Sequence, residues 1–284
     1  MGQLDGKVAF ITGAARGQGR SHALTLAEAG ADIIGVDLCT QLDTVDYPMS
    51  TPEDLAETVV LVEKLDRRMV ARQADVRDRA ALEVALKAGL DEFGRLDIVL
   101  ANAGIMAHDV APQANSEQKF RDSLDIMCTG VWNTLQLTAP VLIEGGRGGA
   151  IVITSSTAGV RVITTNFDGG MDGYNAAKHA VIGLMTSYAG ALAKHNIRVN
   201  AVAPTGVATP MVMNEHFGKF MEANAEVANA YQNALPVPII EPSDVSQGIL
   251  YLVSDAGRYV TGHTLAIDAG MTSVAVGGSG TALA

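Results

Sequence analysis

The chain has 284 residues, 48% of them hydrophobic, two cysteines and a formal net charge of −11. That length and apolar share suffice for one sizeable core, and no Pro-rich, Ser-rich or charged linker divides it, so a single domain over residues 1–284 is expected. The acidic balance argues against nucleic acid or an anionic membrane as the main partner. Cys39 and Cys128 are too few for a disulfide framework and suit small buried side chains in a reducing compartment. No stretch reaches the roughly 18 uninterrupted apolar residues of a membrane span. The expectation is a soluble, cytoplasmic protein without a metal site.

Short apolar runs rich in β-branched residues alternate with longer helical patterns. Strands are predicted at Val8–Thr12, Asp32–Asp37, Val70–Ala74, Ile98–Ala101, Ala150–Thr154, Arg198–Ala203 and Thr264–Ile267. Helices are predicted at Gly17–Ala29, Pro52–Asp66, Ala80–Glu92, Ser116–Leu142, Tyr174–Lys194 and Ser243–Leu252. This alternation specifies an α/β fold, a doubly wound parallel sheet with helices on both faces. Two segments break the rhythm. Residues 38–51 form a polar insertion, longer than the usual connection, directly after the second strand. Residues 209–236 carry Met211, Met213, Phe217, Phe220, Met221 and Tyr231, which suits a cover over an apolar substrate or, equally, a helical excursion with its own small core. The Gly/Ser-rich tail from Gly277 to Ala284 is expected to be disordered at its end.

Gly13, Gly17 and Gly19 fall at the first strand-to-helix junction, with Arg16 and Gln18 between them. Missing side chains there let backbone N–H groups and a helix N-terminus approach a pyrophosphate. Asp37 ends the second strand, where a carboxylate can accept hydrogen bonds from ribose hydroxyls and repel a 2′-phosphate, favouring NAD over NADP. Arg16 is the competing signal, since a guanidinium can pair with such a phosphate or turn to another partner. Asp75 can accept from the adenine amino group or cap the following helix. Leu38 and Val76, beside these carboxylates, belong to the same candidate site. Asn102-Ala103-Gly104 lets backbone approach the cofactor, although a plain turn explains the same residues.

Tyr174 and Lys178, four residues apart, project from one helix face, so the ammonium can favour the phenolate and make the tyrosine a usable base. Such a spacing also arises between unrelated residues on a solvated face. Ser155 and Ser156 end the apolar strand that precedes this helix, where a hydroxyl can hold a reacting oxygen or simply satisfy backbone groups.

Taken together, Thr12-Gly-Ala-Ala-Arg-Gly-Gln-Gly19, Ala101-Asn-Ala-Gly104, Ser156, Tyr174-x-x-x-Lys178 and Pro204-Thr-Gly-Val-Ala-Thr-Pro210 resemble the short-chain dehydrogenase/reductase family across nearly the whole chain. The resemblance implies a Rossmann-type domain in which Ser156, rather than Ser155, orients the substrate and Tyr174 is the acid/base. Lys178 would lower the tyrosine pKa and bind the nicotinamide ribose. In the loop of Pro204 and Gly206, the Val207 backbone and Thr209 would hold the carboxamide.

A closer likeness lies in Asp37-Leu-Cys-Thr-Gln-Leu-Asp-Thr-Val-Asp-Tyr-Pro48, Thr51-Pro-Glu-Asp-Leu-Ala-Glu-Thr58 and the Pro-Thr-Gly-Val loop, which look like the carveol-dehydrogenase-like, mycofactocin-coupled subfamily. It implies an NAD-linked enzyme for secondary, frequently terpenoid, alcohols, and a redox partner that reoxidises bound NADH. It also implies a homotetramer with the helices at Ser116–Leu142 and Tyr174–Lys194 at one interface. One position departs from the family pattern: Asp125-Ile-Met127-Cys-Thr-Gly130 carries methionine where the family has a catalytic asparagine. Methionine lacks the amide's hydrogen bonds, which puts the proton relay from Lys178 in question unless the Met127 main-chain carbonyl serves.

The expected function is therefore NAD-dependent interconversion of a secondary alcohol and its ketone, with a ketone reductase using NADH or a non-catalytic, cofactor-loaded binding protein as alternatives. Met106, Val160, Met211 and Phe217 are the expected pocket residues.

Overall fold

Alternate strand residues point to opposite sides of a sheet, and here the two sides hold two cores. In β1 (Val8–Thr12), Val8 and Phe10 join one apolar cluster while Ala9 and Ile11 join the other. β4 (Ile98–Ala101) and β5 (Gly149–Thr154) divide in the same way, with Val99 and Ile151 on the first side and Leu100 and Val152 on the second. The computed structural model describes residues 2–108, 116–161 and 168–273, so the Gly277–Ala284 tail lies outside them.

With β2 (Asp32–Asp37), β3 (Met69–Gln73), β6 (Ile197–Pro204) and β7 (Thr264–Ile267), these strands form one seven-stranded sheet in the order β3-β2-β1-β4-β5-β6-β7. Every pairing is parallel. Helices α1 (Gly17–Glu28), α2 (Pro52–Glu63) and α9 (Pro242–Val253) cover one face. Helices α3 (Arg79–Phe93), α5 (Gly130–Gly145) and α6 (Gly169–Leu192) cover the other. The doubly wound α/β architecture is as expected. Strand order reverses between β1 and β4, so the crevice for a ligand opens at their carboxyl ends.

The structure corrects several boundaries. The long helix expected at Ser116–Leu142 is α4 (Ser116–Leu124), a π-helical turn at Asp125–Thr129, and α5, with the Gly130 N–H donating to the Asp125 carbonyl. By length and composition Ser116–Gly145 would suffice to cross a membrane, yet more than half of its apolar window is buried in the fold. β3 begins and ends one residue earlier than expected. α6 starts five residues earlier, at Gly169, because the Asp168 side chain accepts from the Gly170 N–H and caps it.

The cover segment contains α7 (Glu215–Ala223) and α8 (Ala225–Ala230). The 38–51 insertion has no regular secondary structure but is no surface loop. Val45 and Tyr47 are buried in the sheet core, and the Gln41 amide donates to the Val45 carbonyl and accepts from Met49 N–H.

Candidate active site

The loop between β1 and α1 is built by glycine. Gly13 and Gly17 have positive φ (72° and 56°), and a Cβ at Gly19 would lie 1.8 Å from the Gly13 carbonyl oxygen, so no other residue fits there. Gln18 lies beside it with its Oε1 buried and unbonded within the protein, an acceptor left for a ligand. The side chain of Asn102 is spent on the scaffold: its Nδ2 donates to the Thr12 carbonyl and its Oδ1 accepts from Thr154, tying together the ends of β1, β4 and β5.

Asp37 accepts from Ala15 N–H on one oxygen and from Ser50 Oγ (2.6 Å) and Cys39 N–H on the other. It therefore joins the glycine loop to the insertion and retains acceptor capacity for a ribose. Arg16 reaches the Pro48 carbonyl, so the insertion takes up the guanidinium that competed with Asp37. Asp75 is not a helix cap. Its carboxylate is gripped by the Arg77 guanidinium at 2.6 Å, and Asp78 caps α3 instead. Burial pushes the Asp75 carboxyl up, but the hydrogen bonds from Arg77 hold it below its ordinary range.

Tyr174 and Lys178 lie one turn apart on α6, 7% and 5% exposed, with the ammonium 5.5 Å from the centre of the phenol ring. Lys178 Nζ donates to the Thr154 carbonyl at the end of β5. Ser156 accepts from Ala158 N–H and shares a cavity wall with Tyr174, whereas Ser155 donates to the Lys178 carbonyl and serves the scaffold. Burial pushes the Tyr174 hydroxyl up from its ordinary value and the Ser156 bond pulls it down. Burial alone pushes Lys178 down to about 8. Desolvation therefore carries the Tyr174 hydroxyl upward overall, against the lowering expected from Lys178.

Gly13, Arg16, Gly17, Gln18, Gly19, Asp37, Leu38, Asp75, Val76, Asn102, Ala103 and Gly104 line one cavity, with Tyr47, Met49 and Ser50 from the insertion closing it. Ser156, Tyr174, Lys178, Pro204, Gly206, Val207 and Thr209 line an adjoining cavity of about 360 Å³. Gln18, Gly104 and Thr209 belong to both walls, so the two form one continuous site. A Cβ at Gly17 would lie 3.3 Å from the Thr209 methyl, so the glycine loop and the Thr209 segment approach closely there.

Met106, Met211 and Phe217 line the second cavity as expected, but Val160 does not: it is 45% exposed. Met213, Met221 and Tyr231, from the segment read as a cover over an apolar substrate, complete the apolar wall with Met127 and Ile239, which local pattern did not assign to it. Met127 is 1% exposed, and its thioether packs against Gly104 close to Lys178 Nζ. Among the described residues no group of three His, Cys, Asp or Glu side chains is arranged to hold a metal. Both cysteines are free, Cys39 buried and Cys128 half-buried.

The family model described as enoyl-(acyl carrier protein) reductase, a short-chain alcohol dehydrogenase model, matches residues 13–272. The chain belongs to the short-chain dehydrogenase/reductase family. Among relatives of this family, an uncharacterized oxidoreductase of Mycobacterium tuberculosis is 54% identical over 95% of this chain and 97% of its own length. The (-)-trans-carveol dehydrogenase of Rhodococcus erythropolis is 43% identical over 96% of this chain and 99% of its own. The carveol dehydrogenase of Mycobacterium avium, solved in complex with NAD, superposes with a TM-score of 0.88 at 47% identity, covering 95% of this chain and 99% of that one. The fold described above is thus that of a family member.

Proposed function

We propose that the chain is an NAD-dependent oxidoreductase that interconverts a compact, apolar secondary alcohol and its ketone. The observation that carries this reading is that Ser156 and Tyr174 line one wall, with Lys178 one turn further on, where the two cavities adjoin. NAD-bound relatives at 47% and 45% identity support the cofactor, and carveol dehydrogenase at 43% supports the alcohol class.

The glycine loop and Asp37 would hold the adenosine half, and Val207, Thr209 and Lys178 the nicotinamide half. When bound, NAD supplies the acceptor for the two electrons and the hydrogen that leave the carbinol carbon. Ser156 donates to the substrate oxygen and fixes it beside Tyr174. Tyr174 as phenolate takes the hydroxyl proton during oxidation, and as phenol returns it during reduction. Lys178, charged below about pH 8, offsets the desolvation that opposes ionisation of Tyr174. Met127, Met211, Phe217 and Met221 supply a wall that excludes water and charged substrates alike.

The finer subsidiary readings are a cytoplasmic homotetramer and a mycofactocin-type redox partner that reoxidises NADH in place. The closed insertion over the adenosine end supports slow exchange of NAD, and exposed Trp132 and Ile143 on α5 support an assembled face. The test is a panel of secondary alcohols assayed with free NAD and with an artificial electron acceptor. Oxidation of apolar secondary alcohols supports the reading, and inertness toward all of them and toward their ketones with NADH refutes it.

A further inference from the structure

Resting on that reading, the polar side chains of the substrate cavity can be sorted by what they already bond. Thr154 donates to Asn102, Ser155 to the Lys178 carbonyl and Thr205 to Asn233, so each is committed to the scaffold. Ser156 and Tyr174 belong to the reacting end. Among the described residues three hydroxyls remain, and Thr209 belongs to the loop proposed for the carboxamide, which leaves two for the substrate. Thr157 Oγ1 is buried with no partner, on a residue 1% exposed. Tyr231 is delivered by the cover segment just beyond α8, where its N–H donates to the Ala228 carbonyl. Its half-buried ring lies on the wall with Met211, Phe217 and Met221, and its hydroxyl makes no hydrogen bond among the described residues.

The Tyr231 hydroxyl is not among the sealed, unsatisfied polar atoms, so it remains open to a ligand oxygen in a mainly apolar cavity. Burial, and secondarily the nearby Tyr174, push the Tyr231 hydroxyl up, so it stays a protonated donor when Tyr174 ionises. The reacting oxygen already has two partners in Ser156 and Tyr174, which leaves Tyr231 for a different oxygen. Among the described residues Lys178 is the only charged side chain on this wall, and it belongs to the reacting end, so none of them would balance a carboxylate or phosphate.

We propose that Tyr231 is a specificity-determining residue that donates a hydrogen bond to a second, neutral oxygen of the substrate. The preferred substrate is then an apolar secondary alcohol that carries another hydroxyl, carbonyl or ether oxygen away from the reacting carbon.

The test compares two probes of matched shape, 4-methylcyclohexanol and cyclohexane-1,4-diol of the same ring geometry, with wild type and Tyr231→Phe. Wild type should favour the diol, and Tyr231→Phe should lose about 10-fold in kcat/KM on the diol, chiefly through KM, while the methyl compound changes by less than about twofold. An equal loss on both probes would assign Tyr231 to packing or to the reacting oxygen and overturn the proposal, as would a wild-type preference for the methyl compound. Calorimetric binding of 4-hydroxycyclohexanone and 4-methylcyclohexanone to the NAD-loaded protein reads the same preference without turnover. A Tyr231-dependent binding preference upholds the proposal even if neither alcohol is oxidised, an outcome that would refute the redox reading instead. No Tyr231-dependent difference overturns the proposal.

Discussion

The Asp46 carboxylate lies 2.6 Å from the Lys119 ammonium, and the same oxygen lies 3.5 Å from His216 Nε2. One side chain of the insertion is thereby shared between α4 and the first turn of α7. Lys119 and His216 also converge on the His108 carbonyl, at 3.2 and 3.0 Å, and the His108 ring packs on Phe217 and Phe220. Burial, then the charges of His216 and Lys119, push His108 down to about 4, so it is a neutral packing ring at pH 7. The 38–51 insertion and the segment that carries α7 are therefore joined through Asp46.

Asp46→Asn removes the charge from that fastening while keeping its shape. Release of NADH, followed by the decay of its bound fluorescence on dilution into a trap, should quicken by about 10-fold, the worth of one charge-assisted hydrogen bond. An unchanged rate would mean that the insertion does not gate the cofactor.

Asp37→Ala should narrow the preference for NAD over NADP, because it deletes both the ribose acceptor and the charge that repels a phosphate. It should also lower stability by about 1–3 kcal/mol, since Ser50 and Ala15 N–H lose their acceptor. Competitive titration of both cofactors checks the first outcome and thermal melting the second. Tight NADP binding by the unaltered protein would contradict the assignment.

Lys178 is held in the folded protein at a cost, its pKa pushed from 10.5 to about 8 by burial. Between those values the unfolded chain binds more protons than the folded one, so stability rises with pH across that window. Below about 8 the ammonium is charged in both states and the full penalty applies, on the order of 3 kcal/mol. Lys178→Met should therefore melt at a higher temperature than wild type at pH 7, with the difference shrinking as pH rises from 8 toward 10.5, while turnover collapses. A variant less stable than wild type at pH 7 would show that the Thr154 hydrogen bond outweighs desolvation.

Met127 packs its thioether where the family carries an amide, against Gly104 and near Lys178 Nζ. If the missing amide limits proton escape, Met127→Asn should raise the rate of alcohol oxidation where proton transfer is limiting, with NAD affinity unchanged. An identical pH–rate profile in both proteins would show that Met127 does not limit the relay.

The sheet was legible because its strands are short β-branched runs and its crevice residues are glycines and single carboxylates at strand ends. The insertion leaves the sheet at Asp37, and its Tyr47, Met49 and Ser50 line the cavity of the glycine loop. The start of α6 was not legible, since Gly169, Gly170 and Gly173 are poor helix formers and only the Asp168 cap and packing against α4 fix them. The π turn at Asp125–Thr129 leaves no mark in apolar spacing, because one extra residue per turn shifts the register within an already apolar run. Tyr47 and Tyr231 were read as segment composition, but their roles rest on contacts distant in sequence, such as the Met106 N–H donating to Tyr47 Oη. Val160 was placed in the pocket by its position after Ser156, yet it lies beyond the Thr157–Gly159 turn and faces outward.

The central claim is that Tyr174 moves the substrate proton in an NAD-linked alcohol–ketone interconversion, and Tyr174→Phe in single-turnover NADH formation tests it most directly. The account predicts that NAD still binds, that the melting temperature is close to wild type, and that the rate falls by about 10²–10⁴-fold. Single-turnover formation of NADH at nearly the wild-type rate would contradict it and remove Tyr174 from the chemistry.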